Sequence, residues 1–242
     1  MAVDAITLQV LRHRLQAIND EQIGVTVRTS GSPTVYEAFD VNSSIITPKG
    51  EALAVGHYVM ALSLSFDVTV KYVLERFADN PGIYDGDIFY TNDPWAGATH
   101  QNDTVMVAPI FWEDDIVAWT GVSLHEMDVG GPLAGGYGAQ AADIYGEAPL
   151  IPPVKVVERG VVRNDIEEAI VRNSRTPAFN GLDMRGRLAA INRTRTRMHE
   201  IIRQYGKDTF MEVQDQILDL AQEAFARRLR ELPDGTWRQE GY

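Results

Sequence analysis

Cysteine is absent from the 242 residues, which excludes disulfides, thiolate nucleophiles and cysteine-ligated zinc. Any metal would take its ligands from His, Asp, Glu, carbonyl oxygens or water. An excess of basic charge is also lacking: 22 Lys and Arg stand against 34 Asp and Glu, a formal net charge of -12. That balance argues against a nucleic-acid partner, whose phosphates need a basic surface, and against docking on an anionic membrane. No apolar run reaches the roughly 18 residues of a membrane span. Residues 1–25 lack the basic start and apolar stretch of a secretory signal. The expectation is a soluble, cytoplasmic protein. A Gly-x-Ser-x-Gly elbow is missing, so a serine hydrolase of that class has no support. With 45% hydrophobic and 23% charged residues, the chain has the composition of a globular protein able to bury a sizeable core.

Periodicity predicts a helix over residues 4–23, capped by Asp4, with Ile6, Val10, Leu11, Leu15 and Ile18 as its apolar stripe. Extended segments at 42–47 and 51–55 flank the turn residues Pro48-Lys49-Gly50. A second helix is expected over 65–77, with Phe66, Val70, Val73, Leu74 and Phe77 on one side, and a short strand over 87–91. Segments 103–112 and 116–123 read as a hairpin turning at Glu113-Asp114-Asp115. Helices follow over 165–175 and 187–205, the latter stopped by Gly206. A last helix, capped by Asp208, carries Phe210, Val213, Ile217, Leu220, Ala224 and Phe225. Residues 232–237 read as a turn entering a strand. Hairpins early and helices late predict an α+β fold: mixed sheets and hairpins in the first two thirds, a helical last third. Region 1–160 would hold the site and 161–242 the helices.

Two His-x-x-Asp groups draw attention. Thr99-His100-Gln101-Asn102-Asp103 precedes the expected hairpin, and Leu124-His125-Glu126-Met127-Asp128 follows it. Two imidazoles with carboxylates and no thiolate suit Zn, Mn or Fe and can leave positions open for substrate. They are equally ordinary as hydrogen-bonded loop residues. Asp40, in Tyr36-Glu37-Ala38-Phe39-Asp40, reads by itself as a turn or cap residue. The glycine-rich stretch 130–138 could wrap a ligand or form a flexible turn. It matches neither a phosphate-binding loop nor a dinucleotide fingerprint. Arg185, Arg187, Arg193, Arg195, Arg197 and Arg203 either grip a phosphorylated intermediate or an acidic partner, or form an ion-paired helix face. His57 reads as a packed structural residue.

The ordered segments Asp4 through Glu21, Arg28-Thr29-Ser30 leading to Glu37-Ala38-Phe39-Asp40, Gly86-Asp87-Ile88-Phe89-Tyr90-Thr91-Asn92-Asp93-Pro94, Gly97-Ala98-Thr99-His100-Gln101-Asn102-Asp103, His125-Glu126-Met127-Asp128-Val129-Gly130-Gly131, Ile151-Pro152-Pro153-Val154-Lys155 and Leu232-Pro233-Asp234-Gly235 together resemble the hydantoinase B/oxoprolinase family. The resemblance covers nearly the whole chain. It departs from the family at Gly97-Ala98, where Gly-Gly is frequent, and in length, since B-type polypeptides are usually considerably longer.

The resemblance implies a division of labour. A hydantoinase A-type ATPase subunit uses ATP and Mg, and the B-type polypeptide carries a divalent metal (Zn, Mn or Fe) on Asp40, His100, Asp103 and His125. Asp128 is then a ligand or a group orienting His125, and Glu126 a proton shuttle. The implied activity is ATP-dependent opening of a cyclic amide such as a hydantoin, oxoproline or lactam, the metal polarising the activated group or a water. The alternatives are an ATP-dependent ketone carboxylase using bicarbonate, or a structural half-subunit without activity. The length implies that another chain supplies the rest of the B-type unit, or that the chain is a fragment.

Overall fold

The computed structural model describes residues 3–136, 138 and 140–240. Tyr137, inside the glycine-rich stretch, lies outside the described residues. The architecture is α+β: one seven-stranded antiparallel sheet of order β2-β1-β5-β4-β3-β6-β7, with helices on both faces. The strands are β1 (Val41–Ile46), β2 (Ala52–Val55), β3 (Ile88–Thr91), β4 (Asp103–Trp112), β5 (Asp115–His125), β6 (Val154–Glu158) and β7 (Val161–Val162). The expected β4–β5 hairpin is its centre, with every residue from Asp103 to Ala108 buried.

Side chains alternate across a strand, and here they feed three cores. Val105, Val107 and Trp119 face α3 (Ser65–Phe77), packing with Phe66, Val70 and Val73. Met106, Ala108, Val122 and Leu124 face the opposite way, towards Ile23 of α1 (Ala5–Thr29) and Met184 and Ile191 of α5 (Pro177–Tyr205). Further along that face, Ile45, Ile110 and Ala118 meet α1, α5 and Phe210, Val213 and Ile217 of α6 (Lys207–Arg230). Two short helices, α2 (Pro33–Tyr36) and α4 (Asn164–Val171), complete the set. Among the described residues, no helix is long and apolar enough to cross a membrane.

Asp4 caps α1, its carboxylate accepting from the N–H groups of Ile6 and Thr7 at 3.0 Å. The buried stripe is Leu8, Leu11, Leu15 and Ile18, while Ile6 and Val10 are exposed. The helix also runs six residues beyond 23. Its buried face turns polar there, and Asn19 and Gln22 are matched by Ser43 and Thr120. Helix α5 starts ten residues before 187, at Pro177. The cap of α6 is Gly206, and Asp208 lies in its first turn. Leu220 and Phe225, expected on the apolar stripe of α6, are exposed. Residues 233–240 form no strand, because no described sheet edge is paired with them. His57 is exposed rather than packed, stacked on Tyr58 with ring centroids 4.9 Å apart.

Candidate metal centre

Residues Asp103 and His125 are partners in the register of β4 and β5. Directly opposed residues in an antiparallel pair point to the same face, so the last rung of the hairpin puts a carboxylate beside an imidazole. Nδ1 of His125 lies 3.1 Å from Oδ1 of Asp103. The backbone of His125 is held on both sides: its N–H donates to Asp40 O at 3.0 Å, and its carbonyl accepts from Thr34 Oγ1 at 2.8 Å.

His100 arrives from the loop between β3 and β4. Asn92-Asp93-Pro94 shapes that loop. Asn92 is tied to Pro149 O and to the N–H of Ile151, and Asp93 caps the short turn at Pro94–Ala96 through the N–H of Trp95. Gly97 follows at φ 119°, a conformation that side-chain-bearing residues rarely adopt. A turn at His100 then brings the chain back into β4, with Asp103 N–H donating to His100 O at 3.0 Å. Nε2 of His100 lies 3.2 Å from Oδ2 of Asp103, so each oxygen of one carboxylate faces one imidazole. The two rings meet edge to face, centroids 5.1 Å apart.

One donor atom from each of His100, Asp103 and His125 lies within 4.8 Å of the others, a group able to hold a metal ion. Asp40 stands at the rim, Oδ2 3.9 Å from His125 Nδ1. Burial lowers the pKa of His100 below the ordinary imidazole value, against the pull of the Asp103 charge, which favours the neutral, ligating ring. Burial raises that of Asp40, the Asp103 charge adding to the rise while both imidazoles oppose it. The donor set, imidazole nitrogen and carboxylate oxygen without sulfur, fits a divalent cation of the Zn, Mn or Fe kind.

Glu126 is placed elsewhere. One residue past His125, it takes the opposite face of the sheet and is buried against α5, Oε1 2.8 Å from Arg187 Nη2 and 3.3 Å from Thr104 Oγ1. Burial pushes its carboxyl up to about 8, with Arg187 pulling the other way and Asp183 adding to the rise. Asp128 holds the glycine-rich loop. Its carboxylate accepts from the N–H groups of Gly130, Gly135 and Arg175 at 2.8–2.9 Å, and from Arg175 Nη1 at 3.2 Å. Burial acts to raise its pKa, but these donors outweigh it and the net shift is downward.

The arginine cluster mostly forms ion pairs: Arg193 and Arg197 with Glu21, Arg185 with Glu167. Arg195 donates to the carbonyls of Asp87 and Pro109. Arg187 differs, being fully buried beneath the hairpin end. Its place was readable from the stripe Met184, Arg187, Ile191, Thr194 and Met198, whose alternating steps of three and four mark the buried side of a helix. Arg175 carried no such signal.

The sequence profile of the hydantoinase B/oxoprolinase family matches residues 4–242. The chain is 30% identical over 233 residues to the caprolactamase subunit beta of Pseudomonas jessenii, covering 96% of this chain and 40% of that protein. It is 27% identical to the acetophenone carboxylase delta subunit of Aromatoleum aromaticum, covering 98% of this chain and 34% of that one. The crystal structure of the ATP-dependent caprolactamase from Pseudomonas jessenii superposes with a TM-score of 0.89 over 96% of this chain and 40% of that one. The nucleotide-free acetone carboxylase structure gives 0.81 at 25% identity, over 88% and 28%. The chain thus spans about 40% of the length of the caprolactamase subunit, and less of the carboxylases.

Proposed function

The chain belongs to the hydantoinase B/oxoprolinase family, and from that premise we propose that it is the metal-binding part of a B-type subunit in an ATP-dependent complex that opens a cyclic amide. The observation that carries this reading is the His100–Asp103–His125 cluster, in a chain similar over 96% of its length to a caprolactamase subunit. A hydantoinase A-type ATPase subunit is the partner that uses ATP and Mg, and further chain supplies the rest of the B-type unit. The complex works in the cytoplasm, where ATP is available.

In this reading His100, Asp103, His125 and Asp40 are the ligands of a Zn, Mn or Fe ion, which supplies Lewis acidity to the activated carbonyl group. Phosphoryl transfer from ATP to the amide oxygen makes the ring carbon electrophilic. Water adds there, the C–N bond breaks, and the nitrogen takes a proton to leave as the amine. A second water releases phosphate from the acyl phosphate, leaving the ring-opened carboxylate. Asp103 faces both imidazoles, one with each oxygen, so the three side chains would converge on one ion. Asp128 fixes the loop after His125 through Gly130 and Gly135. A proton-shuttle role for Glu126 is not part of this proposal, since its carboxyl is buried on the far face against Arg187.

The similarity to the carboxylases favours one second reading, in which the same ligands serve an ATP-dependent carboxylation of a ketone with bicarbonate. The two separate in one assay. The protein, purified with whatever chains accompany it, is tested for substrate-dependent ATP hydrolysis on hydantoins, oxoproline and lactams, then on ketones with and without bicarbonate. Stimulation by a cyclic amide with ring-opened product is the expected result. Stimulation only by a ketone with bicarbonate, yielding a carboxylated product, overturns it.

A further inference from the structure

We propose that Arg187 is a positioning residue for the metal centre, tying together from the far face of the sheet the two strand ends that carry Asp103 and His125. Thr104 follows Asp103 on β4, and Glu126 follows His125 at the end of β5. The Arg187 guanidinium reaches both. Nη1 donates to Thr104 O at 3.1 Å and to Thr104 Oγ1 at 2.8 Å, and Nη2 donates to Glu126 Oε1 at 2.8 Å.

The position matters because Asp103 and His125 form the terminal rung of the β4–β5 ladder. Terminal rungs open most easily, lacking a further pair to hold them. Around this rung the strand ends are joined by the N–H of Glu126 donating to Asn102 O, by Asn102 Nδ2 donating to Glu126 O at 3.2 Å, by Thr104 Oγ1 donating to Glu126 Oε1 at 3.3 Å, and by the Arg187 clamp that grips both Thr104 and Glu126. A small splay there would move the carboxylate away from the imidazole on the other face.

Arginine is the residue suited to the task. Its planar fork presents several donors in fixed directions, whereas an ammonium is a point charge. The guanidinium is itself fixed, its Nε 3.4 Å from Asp183 O and its plane near the Tyr90 ring. The Asp183 carboxylate is occupied by Ser30, Gly31 and Ser32. A buried guanidinium held by polar partners is a poor way to gain stability compared with apolar packing. Its presence directly behind two ligand-bearing residues therefore points to geometry rather than stability.

The inference rests on the metal-centre reading, and the test separates the two. The protein, with its accompanying chains, is stripped of metal and titrated with Co(II), reading dissociation constant and visible absorption spectrum. Variants are Arg187→Met and Arg187→Lys. Ile201→Ala, in the distant core shared by α1 and α6, is the control for lost stability alone. Arg187→Met is expected to weaken Co(II) binding about 10- to 100-fold and to change the spectrum. Arg187→Lys should recover part of both, and Ile201→Ala should bind as wild type despite a lower melting temperature. Wild-type affinity and spectrum in Arg187→Met overturn the proposal, as does an equal disturbance in Ile201→Ala. If Arg187→Met does not fold, Thr104→Val and Glu126→Ala, each removing one side-chain prong, decide it by the same readout: weaker Co(II) binding with a changed spectrum supports the proposal, and wild-type values in both overturn it. Undiminished Co(II) binding in His100→Ala would instead overturn the metal-centre reading itself.

Discussion

Asp103 faces two imidazoles through its two oxygens, and this arrangement makes the ligand assignment testable residue by residue. Wild-type protein is expected to hold about one divalent ion per chain, as a site of this ligand set would. His100→Ala should lose most of it while its far-UV spectrum stays native, since His100 sits in a loop rather than in the core. Elemental analysis of the two proteins checks this, and equal metal in both removes His100 from the ligand set. Asp128 has a different duty and a different signature. Asp128→Ala leaves the N–H groups of Gly130, Gly135 and Arg175 without their acceptor, a cost of about 2–3 kcal/mol measurable by urea unfolding. The folded pKa of Asp128 lies below its ordinary value of 3.8. Its stabilisation is therefore complete above 3.8 and lost as the pH falls through the lower folded value. The gap between wild type and Asp128→Asn should close in that acid window, and a gap constant with pH would contradict the assignment. The repeated His-x-x-Asp was visible in the sequence because residues gathered near a hairpin's ends show as spaced motifs. The face that Glu126 takes was not legible from its closeness to His125 in sequence. Once Asp103 and His125 share a face, strand alternation sends the next residue to the other one.

At the scale of elements, the strands were legible where turn residues and alternation agree, as around Glu113-Asp114. Strand β6, one in from the sheet edge, was not. It follows Pro152-Pro153 and buries Lys155, which reads as surface but pairs with Asp87 at 2.8 Å. The start of α5 was hidden because Gly181 and Gly186 weaken the helical pattern, and only tertiary packing overrides such a propensity. Asn19, Gln22 and Thr26 hid the end of α1 in the same way, being polar residues on a buried face. Gly97 shows how an element positions the site. A Cβ there would stand 2.6 Å from Ser65 O and 2.4 Å from Thr69 Oγ1, so the loop lies directly on the first turns of α3. Gly97→Ala must either push α3 away or change a left-handed φ. The expected loss is about 1–3 kcal/mol, together with weaker metal binding, because His100 is three residues on. Thermal melts and metal titration check both. Unchanged stability would mean that the loop is not seated on α3 as described.

For the whole molecule, the question is whether the chain divides at residue 160. The sequence pattern changes there, from hairpins to helices, yet the cores do not follow that change. Ile45, Ile110 and Ala118 of the sheet share one cluster with Met198, Ile201 and Phe210 of the last two helices. Met106 and Val122 share another with Met184 and Ile191. Neither the sheet face nor the helices can stay buried without the other, and apolar burial is the main favourable term in folding. The helical third and the sheet should therefore unfold in one cooperative transition. Two probes separate them. Ellipticity at 222 nm follows the helices, dominated by α1, α5 and α6. With Trp95, Trp112 and Trp237 replaced by Phe, the fluorescence of fully buried Trp119, on the opposite face of the sheet against α3, follows the hairpin. Coincident urea curves are expected. Helical signal lost well before the Trp119 emission shifts would show that residues 161–242 fold as a separate unit, and that the clamp from Arg187 to the hairpin can open while the sheet stands.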